Sequence, residues 1–172
     1  MAKNKRYTVE AYSPANDPHG DMAIELAWEL IFNIRDDDER ELEAVGDPVF
    51  EIYSSLYYSA EAYIYRDREG MLLGIVGMGK SETANGRCVW MMGTKMLKSF
   101  VKDLLFREAR RLVRKWVNKY GKLYSCVYSK NTKSVGWLRM LGAEFSEVPI
   151  KREDKTFYYF EIRKARGVRC AV

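Results

Sequence analysis

The chain has 172 residues, of which 47% are hydrophobic and 31% charged. This composition is that of an ordinary globular domain and excludes disordered and fibrous classes. No apolar run approaches the roughly 20 residues of a membrane helix, and no apolar stretch follows the basic start at residues 3–6. We therefore expect a soluble protein without a secretory signal, with one domain over residues 1–165 and a tail at 166–172.

The net charge of +5 is concentrated in one segment. Residues 95–122 contain ten lysines and arginines, opposed only by Asp103 and Glu108, so a polyanionic partner is expected to meet the protein there. The three cysteines are widely spaced and His19 is the only histidine. No metal site and no Ser-His or Cys-His nucleophile pair is therefore predicted.

The first third of the chain predicts a short strand and three helices. The strand covers residues 7–12, and Asp21 is placed to cap a helix over residues 22–34. An acidic run at residues 36–39 opens a second helix and is favoured by the helix dipole, and the acidic stretch 36–43 is interpreted as a solvated helix start. Asp47 and Pro48 form a start signal for a third helix that runs to about residue 58.

The middle of the chain predicts three antiparallel strands. Residues 60–66, 71–79 and 87–93 have strand character and are separated by turns, of which Asn85-Gly86 is the strongest hairpin signal. A long amphipathic helix then covers residues 105–120 and ends at Gly121. Its predicted basic surface consists of Arg107, Arg110, Arg111 and Arg114.

The last third predicts a strand at residues 123–128 and a helix at 131–141 with Asn131 as its N-cap. Two further strands are expected at residues 144–150 and 156–163. The order of elements predicts a single α/β domain of the mixed α+β type, with a central, mostly antiparallel sheet flanked by helices.

Residues 74–81 match the phosphate-binding pattern G-x-x-x-x-G-K-[ST] in every letter. A true phosphate loop also needs a helix that starts at the lysine, because the helix N-terminus supplies part of the anion binding. The residues after Lys80 predict a turn and another strand instead. We therefore favour a glycine-rich strand that admits close packing, with nucleotide binding as the less favoured alternative.

Residues 98–145 resemble the second half of the GNAT acetyltransferase fold. The best local match is Asn131-x-x-Ser134-x-x-Trp137-Leu138-x-x-Leu141-Gly142-Ala143-x-Phe145. The resemblance implies that residues 86–94 form the strand that pairs with the pantetheine arm of acetyl-CoA. The cofactor-binding residues it implies are Met91, Met92, Gly93, Thr94, Asn131 and Ser134.

A narrower resemblance is to the internal virion protein A family of short-tailed phages, which are small, degenerate GNAT-like proteins. The residues that carry it are the strand end at 89–94 and the two segments 123–132 and 137–143. It implies phage structural or host proteins as partners, and a location in the virion, the host cytoplasm or both.

The chain departs from the GNAT pattern in three places. The loop that binds the cofactor pyrophosphate in that family contains glycines, whereas residues 94–100 contain none, so Lys95 and Lys98 would have to supply charge instead. In that family a tyrosine of the late helix often acts as the general acid that protonates the departing CoA thiolate. The matching position here holds Leu138, which has no proton to donate. No general base is identifiable near the fourth strand.

Three functions follow from these observations. The first is a non-catalytic GNAT-like domain that acts in virion assembly through protein contacts and has no cofactor. The alternative is an acetyl-CoA-dependent N-acetyltransferase that modifies a host protein or a small amine. A third is weak nucleic-acid binding through the basic surface, which the phosphate charge would make sensitive to salt.

Overall fold

The computed structural model describes residues 6–80 and 86–164. Its helices are α1 (Asp21–Ile31), α2 (Asp36–Glu43), α3 (Pro48–Tyr57), α4 (Ala109–Tyr120) and α5 (Thr132–Met140). Its strands are β1 (Tyr7–Tyr12), β2 (Ser59–Asp67), β3 (Leu72–Gly79), β4 (Arg87–Gly93), β5 (Lys122–Tyr128), β6 (Glu144–Phe145), β7 (Ile150–Arg152) and β8 (Lys155–Arg163). The predicted tail at 166–172 lies outside the described residues.

The eight strands form one sheet in the order β1-β2-β3-β4-β5-β8-β6, with β7 also paired to β8. Every pair is antiparallel except β4 and β5, which run parallel. The helices pack on both faces, so the predicted fold class is confirmed. None of the helices within the described residues is long and apolar enough to cross a membrane.

Each face of the sheet carries its own apolar core. Helices α1, α2 and α3 cover one face, where Leu30, Ile52 and Leu56 pack on Ile75 of β3. Helices α4 and α5 cover the other, where Trp116 packs with strand residues such as Leu123. The sheet therefore separates the acidic helix α2 from the basic helix α4.

The helix starts show one confirmed prediction and one correction. The side chain of Asp47 accepts a hydrogen bond from the Phe50 amide at 2.9 Å, so Asp47 caps α3 as predicted. The prediction that Asp21 caps α1 is wrong. Asp17 takes that role from the preceding turn, because its buried carboxylate accepts the amides of Met22 and Ala23 at 3.1 and 2.9 Å.

The long basic helix is shorter than predicted. Residues Lys95–Phe100 form a 3-10 segment, Lys102–Glu108 form a π-helical segment, and α4 proper begins only at Ala109. The indole of Trp137 in α5 donates to the carbonyl of Leu105 at 2.8 Å. This bond ties the π-helical segment to α5, and π-helical turns are frequent at functional sites.

The phosphate-loop alternative is wrong for the part of its motif that is described. Residues 74–79 belong to β3 rather than to a loop, and Ser81 lies outside the described residues. A Cβ atom at Gly77 would lie 2.4 Å from the ring of Trp90, and one at Gly74 would lie 2.8 Å from the carbonyl oxygen of Met92. These glycines make room for the neighbouring strand β4, as the favoured interpretation of a closely packed glycine-rich strand predicts.

The predicted strand at 144–150 is also corrected. Only Glu144–Phe145 and Ile150–Arg152 are extended strands, and both pair with β8. Between them the amide of Ser146 still donates to the carbonyl of Tyr159 in β8, and the amide of Val148 donates to the Ser146 hydroxyl.

Candidate active site

The sheet opens between its two parallel strands. Strands β4 and β5 pair only at Arg87 with Leu123 and Cys88 with Tyr124, and they have no further pairing within the described residues. A cavity of about 200 Å³ lies where they diverge. We refer to this cavity as the cleft.

The cleft passes through the sheet. Ile75, Met92 and Leu42 line it on the face of α2. Val76, Leu112 and Trp116 line it on the face of α4. Its walls are mostly apolar, so it suits a slender, largely apolar group that runs between the strands.

The β4 edge offers backbone polar groups to this cleft. Alternate residues of a strand direct their N–H and C=O groups to the same edge. The carbonyl of Gly93 accepts from Arg35 and its amide donates to Asp38, on the edge away from β3. Met91, two residues earlier, directs its backbone to that same edge, where β5 has moved away.

Trp90 also lines the cleft, and its ring packs over Gly77 of β3. Its indole N–H is buried and has no acceptor among the described residues. A chain that carries amide groups would complete the hydrogen bonds of the Met91 backbone. The residues present therefore fit the amide-rich pantetheine arm of CoA.

Two carboxylates of α2 face the cleft, although the sequence predicted a solvated acidic run. Asp38 is only 6% exposed and Glu41 is half-buried, and both line the cavity. That prediction is wrong for these two residues. Asp38, Glu41 and the buried Leu42 lie three and four residues apart, on the helix face that packs inward.

Glu41 is held by the cap residue of α5. The side-chain amide of Asn131 donates to Glu41 Oε2 at 2.8 Å, while its oxygen accepts the Ser134 amide at 3.2 Å. Burial raises the pKa of Glu41 to about 7, and the bond from Asn131 opposes that rise. A carboxyl with this pKa exchanges a proton near neutral pH, as a general base must.

Asp38 has a different environment and a structural role. The guanidinium of Arg35 contacts it through two bonds of 2.9 and 2.8 Å, and the Gly93 amide donates to it at 2.8 Å. Burial raises the pKa of Asp38, while Arg35 and Gly93 oppose the rise. These bonds fix α2 against the end of β4 and thereby position Glu41.

Only some of the six residues that the resemblance implies as cofactor-binding lie at the cleft. Met91, Met92 and Ser134 line the cleft. Gly93 and Thr94 do not line it: Gly93 bonds to Arg35 and Asp38, and the Thr94 hydroxyl donates to the carbonyl of Leu72 at 2.8 Å. Asn131 contacts Glu41 and lines a second cavity.

That second cavity, of about 320 Å³, lies on the other side of Asn131. We refer to it as the polar cavity. Its walls come from α2, from the loop after β5 and from the start of β8: Asp37, Arg40, Glu43, Ala44, Tyr128, Lys130, Asn131 and Lys155.

The proton-donor position is apolar, as the sequence predicts. Leu138 is buried and lines the cleft beside Trp137. Cys126, which also lines the cleft, is exposed, and burial of part of its surface raises the pKa of its thiol. Among the described residues, no group of three or more His, Cys, Asp or Glu side chains could hold a metal ion.

The predicted basic surface is exposed along one side of the π-helical segment and α4. Arg107 pairs with Asp103 and Arg111 with Glu108, so two of its four charges are partly compensated. Nucleic-acid binding at this surface stays a prediction.

Sequence reasoning missed Glu41 as the candidate base. A base was expected among the residues next to β4 in the chain, whereas Glu41 precedes β4 by more than 40 residues. The available signal was the spacing of Asp38, Glu41 and Leu42, which predicts that all three share one helix face.

Comparison with known proteins supports the fold. No protein-family model and no curated protein sequence matches the chain. The spermidine N-acetyltransferase of Vibrio cholerae, solved in complex with CoA and spermine, superposes with a TM-score of 0.56 over 93% of this chain and 96% of that one, at 12% identity. A GNAT-family acetyltransferase from Bacillus anthracis gives 0.58 over 92% and 95%, at 13% identity.

The chain therefore has the fold of the GNAT acetyltransferases, as the resemblance of residues 98–145 predicts. Identities of this size show the fold alone. The resemblance to the phage proteins stays a prediction, because neither sequence comparison returned a match that could test it.

Proposed function

We propose that this protein is an N-acetyltransferase that transfers an acetyl group from acetyl-CoA to a primary amine. The observation that carries the proposal is the position of Glu41, a carboxylate with a pKa of about 7 at the wall of the cleft between the parallel strands. The fold shared with acetyltransferases supports the same activity.

The cleft would hold the pantetheine arm. The backbone of Met91 would bind its amide groups, and the apolar walls would exclude water from it. Of the two lysines expected to supply charge, Lys95 pairs with Asp36 at 3.0 Å, whereas Lys98 is exposed, as is Lys102 farther along the helical segments that follow β4. Lys98 and Lys102 would attract the phosphates by charge, without the directional amide bonds of a glycine loop.

Acetyl-CoA supplies an activated thioester to this site. Glu41 would accept the proton that the amine loses as its nitrogen attacks the thioester carbon, and the C–S bond would then break. Because Leu138 cannot donate a proton, the departing sulfur would take one from water. Asn131 would hold Glu41 in place without adding a charge beside it.

The first experiment is calorimetric titration with acetyl-CoA. We expect one-to-one binding in the micromolar range, about −8 kcal/mol. Cys126→Trp would fill the cleft from an exposed position and should weaken binding at least tenfold. Tyr124→Trp, on the same strand but outside the cleft, is its matched control. Absence of heat with the wild-type protein would contradict the proposal.

Asn131→Ala tests the acceptor side of the same site. If Asn131 positions Glu41 rather than the cofactor, the affinity for acetyl-CoA should persist while turnover falls. Full turnover in this variant would contradict the role given to the pair.

A second candidate is a non-catalytic domain that contacts phage structural or host proteins in virion assembly. The observation that favours it is an exposed apolar stripe on α1, formed by Ile24, Trp28 and Phe32, of which Phe32 is 85% exposed. This candidate predicts no acetyl-CoA binding, together with loss of a protein partner in Trp28→Glu. The calorimetric titration therefore distinguishes the two.

A further inference from the structure

The polar cavity adjoins Asn131, the residue that holds the candidate base. Asn131 lines this cavity, and the amide of the same side chain donates to Glu41 at 2.8 Å. Asp38, Glu41 and Leu42 of α2 face the cleft, whereas Asp37, Arg40 and Glu43 of the same helix face the polar cavity. Glu41 itself lines the cleft, and Asn131 is the residue that lies between it and the polar cavity. An acceptor whose amine meets Glu41 beside Asn131 would extend the rest of its molecule toward these polar side chains.

The charges of the polar cavity favour an anion. Arg40, Lys130 and Lys155 line it against Asp37 and Glu43. Asp37 is already engaged by Arg40 at 3.3 Å and by Lys133 at 2.9 Å.

Two of the cations have no carboxylate partner. Lys155 donates only to the backbone carbonyl of Glu43, at 3.3 Å, and Lys130 has no polar partner within the part of the chain that is described. Both ammonium groups are therefore available to a ligand. Of the two carboxylates, Asp37 is engaged and Glu43 pairs with no cation among the described residues, so the unpaired cations of the cavity exceed the unpaired carboxylates by one.

We propose that the acceptor is a primary amine that also carries an anionic group, a carboxylate or a phosphate, a few bonds from its nitrogen. This inference rests on the proposed acetyltransferase activity. The amine would meet Glu41, and the anion would meet Lys130 and Lys155. A diamine or polyamine would instead place its second positive charge against these lysines and would be disfavoured.

Matched amines test this acceptor class. Acetyl transfer from acetyl-CoA is measured with butylamine, 4-aminobutyrate, 2-aminoethyl phosphate and putrescine, with release of the CoA thiol as the readout. We expect kcat/KM for at least one of the two anionic amines to exceed that for putrescine by tenfold or more. The ratio between the carboxylate and the phosphate identifies the anion. Equal or faster transfer to putrescine would overturn the inference while leaving the acetyltransferase activity intact.

Charge-reversal variants test whether Lys130 and Lys155 cause the preference for the anionic amine. Lys130→Glu and Lys155→Glu should each remove the preference for the anionic amine, and the double variant should favour putrescine. Lys119→Glu changes the net charge by the same amount at an exposed position of α4, away from the cavity. It should leave the preference for the anionic amine unchanged. An equal effect of all three variants would show a general field rather than a binding site and would overturn the inference.

A binding measurement separates this inference from turnover. Titration of the ¹⁵N-labelled protein with 4-aminobutyrate and with inorganic phosphate should shift the amide signals of residues 128–131 and 155. Shifts there without acetyl transfer to any amine would refute the proposed function and keep the anion site. No shift with either probe would overturn the inference.

Discussion

Asn131 donates its side-chain amide to Glu41 Oε2 at 2.8 Å while its side-chain oxygen caps α5. One buried residue thus joins the start of α5 to the face of α2 that lines the cleft. The bond lies between residues 90 positions apart. It holds a carboxyl with a pKa of about 7 at the wall of the cleft, with Asn131 between that carboxyl and the polar cavity.

Glu41→Gln should abolish most of the turnover without unfolding the protein. Glutamine keeps an oxygen that accepts from Asn131 but cannot take a proton from the amine, so kcat should fall about 10²–10⁴-fold, the usual contribution of a general base. The measurement is steady-state acetyl transfer as a function of pH.

In the wild-type protein kcat should rise with pH through about 7, as Glu41 loses its proton. This rise of kcat with pH should disappear in Glu41→Gln. Glu39→Gln, on the same helix, is the control and should keep the wild-type profile. A wild-type profile that stays flat between pH 5.5 and 8 would contradict the role of Glu41.

Asn131→Asp should separate the two roles of Asn131, which are the capping of α5 and the control of the Glu41 pKa. Aspartate keeps the oxygen that caps α5, but its charge lies beside Glu41 and should raise the pKa of Glu41 further. Asn131→Ala should instead lose the cap, at about 1 kcal/mol of stability. Thermal melts and the pH dependence of kcat measure the two effects. An unchanged kinetic pKa in Asn131→Asp would argue against direct contact between the two side chains.

The stability of the fold should depend on the ionisation of Glu41. Burial raises its folded-state pKa from 4.5 to about 7, so the unfolded chain loses this proton at lower pH than the folded one. Stability should therefore be greatest below pH 4.5 with respect to this group, fall as the pH rises to about 7, and stay level above it. The loss is at most about 3 kcal/mol.

Urea unfolding at pH 5 and pH 8 measures this dependence. The Glu41→Gln variant lacks the ionisation, so the difference in stability between the two pH values should be smaller than in the wild type. Asp38, whose pKa is also raised, is present in both proteins and cancels in the comparison. The same pH difference in both proteins would show that Glu41 is solvated.

Gly77→Ala should destabilise the sheet, whereas Gly79→Ala should not. A Cβ atom at Gly77 would lie 2.4 Å from the Trp90 ring, and one at Gly79 meets nothing within 4 Å. We expect a loss of about 1–3 kcal/mol for the first, as for other overpacked sites, and a gain of up to about 1 kcal/mol for the second. Chemical unfolding checks both. Equal stability of the two variants would mean that β3 and β4 are not closely packed at Trp90.

Short-range sequence signals predicted most helices and strands of this fold. The Asp47-Pro48 signal, the three-strand meander and the Asn131 cap are each determined by neighbouring residues, so they can be read without the tertiary structure. The prediction failed where a distant partner decides the outcome. Asp17 replaces Asp21 as the cap of α1 because the turn before the helix folds back, and the bond from Trp137 accompanies a π-helical segment where a regular helix was expected.

The sequence by itself determined the fold class and the basic helix, and it pointed to Met91, Met92, Asn131 and Ser134 as residues of interest. Only the tertiary structure decided which charges are buried. In the chain, Asp38 and Glu41 belong to an acidic helix start that looks solvated. In the fold, α2 packs against the end of β4 and the start of α5, where Asp38 is buried and Glu41 half-buried. The pKa of a carboxyl depends on the groups and the solvent around it, and residues far apart in the sequence supply that environment.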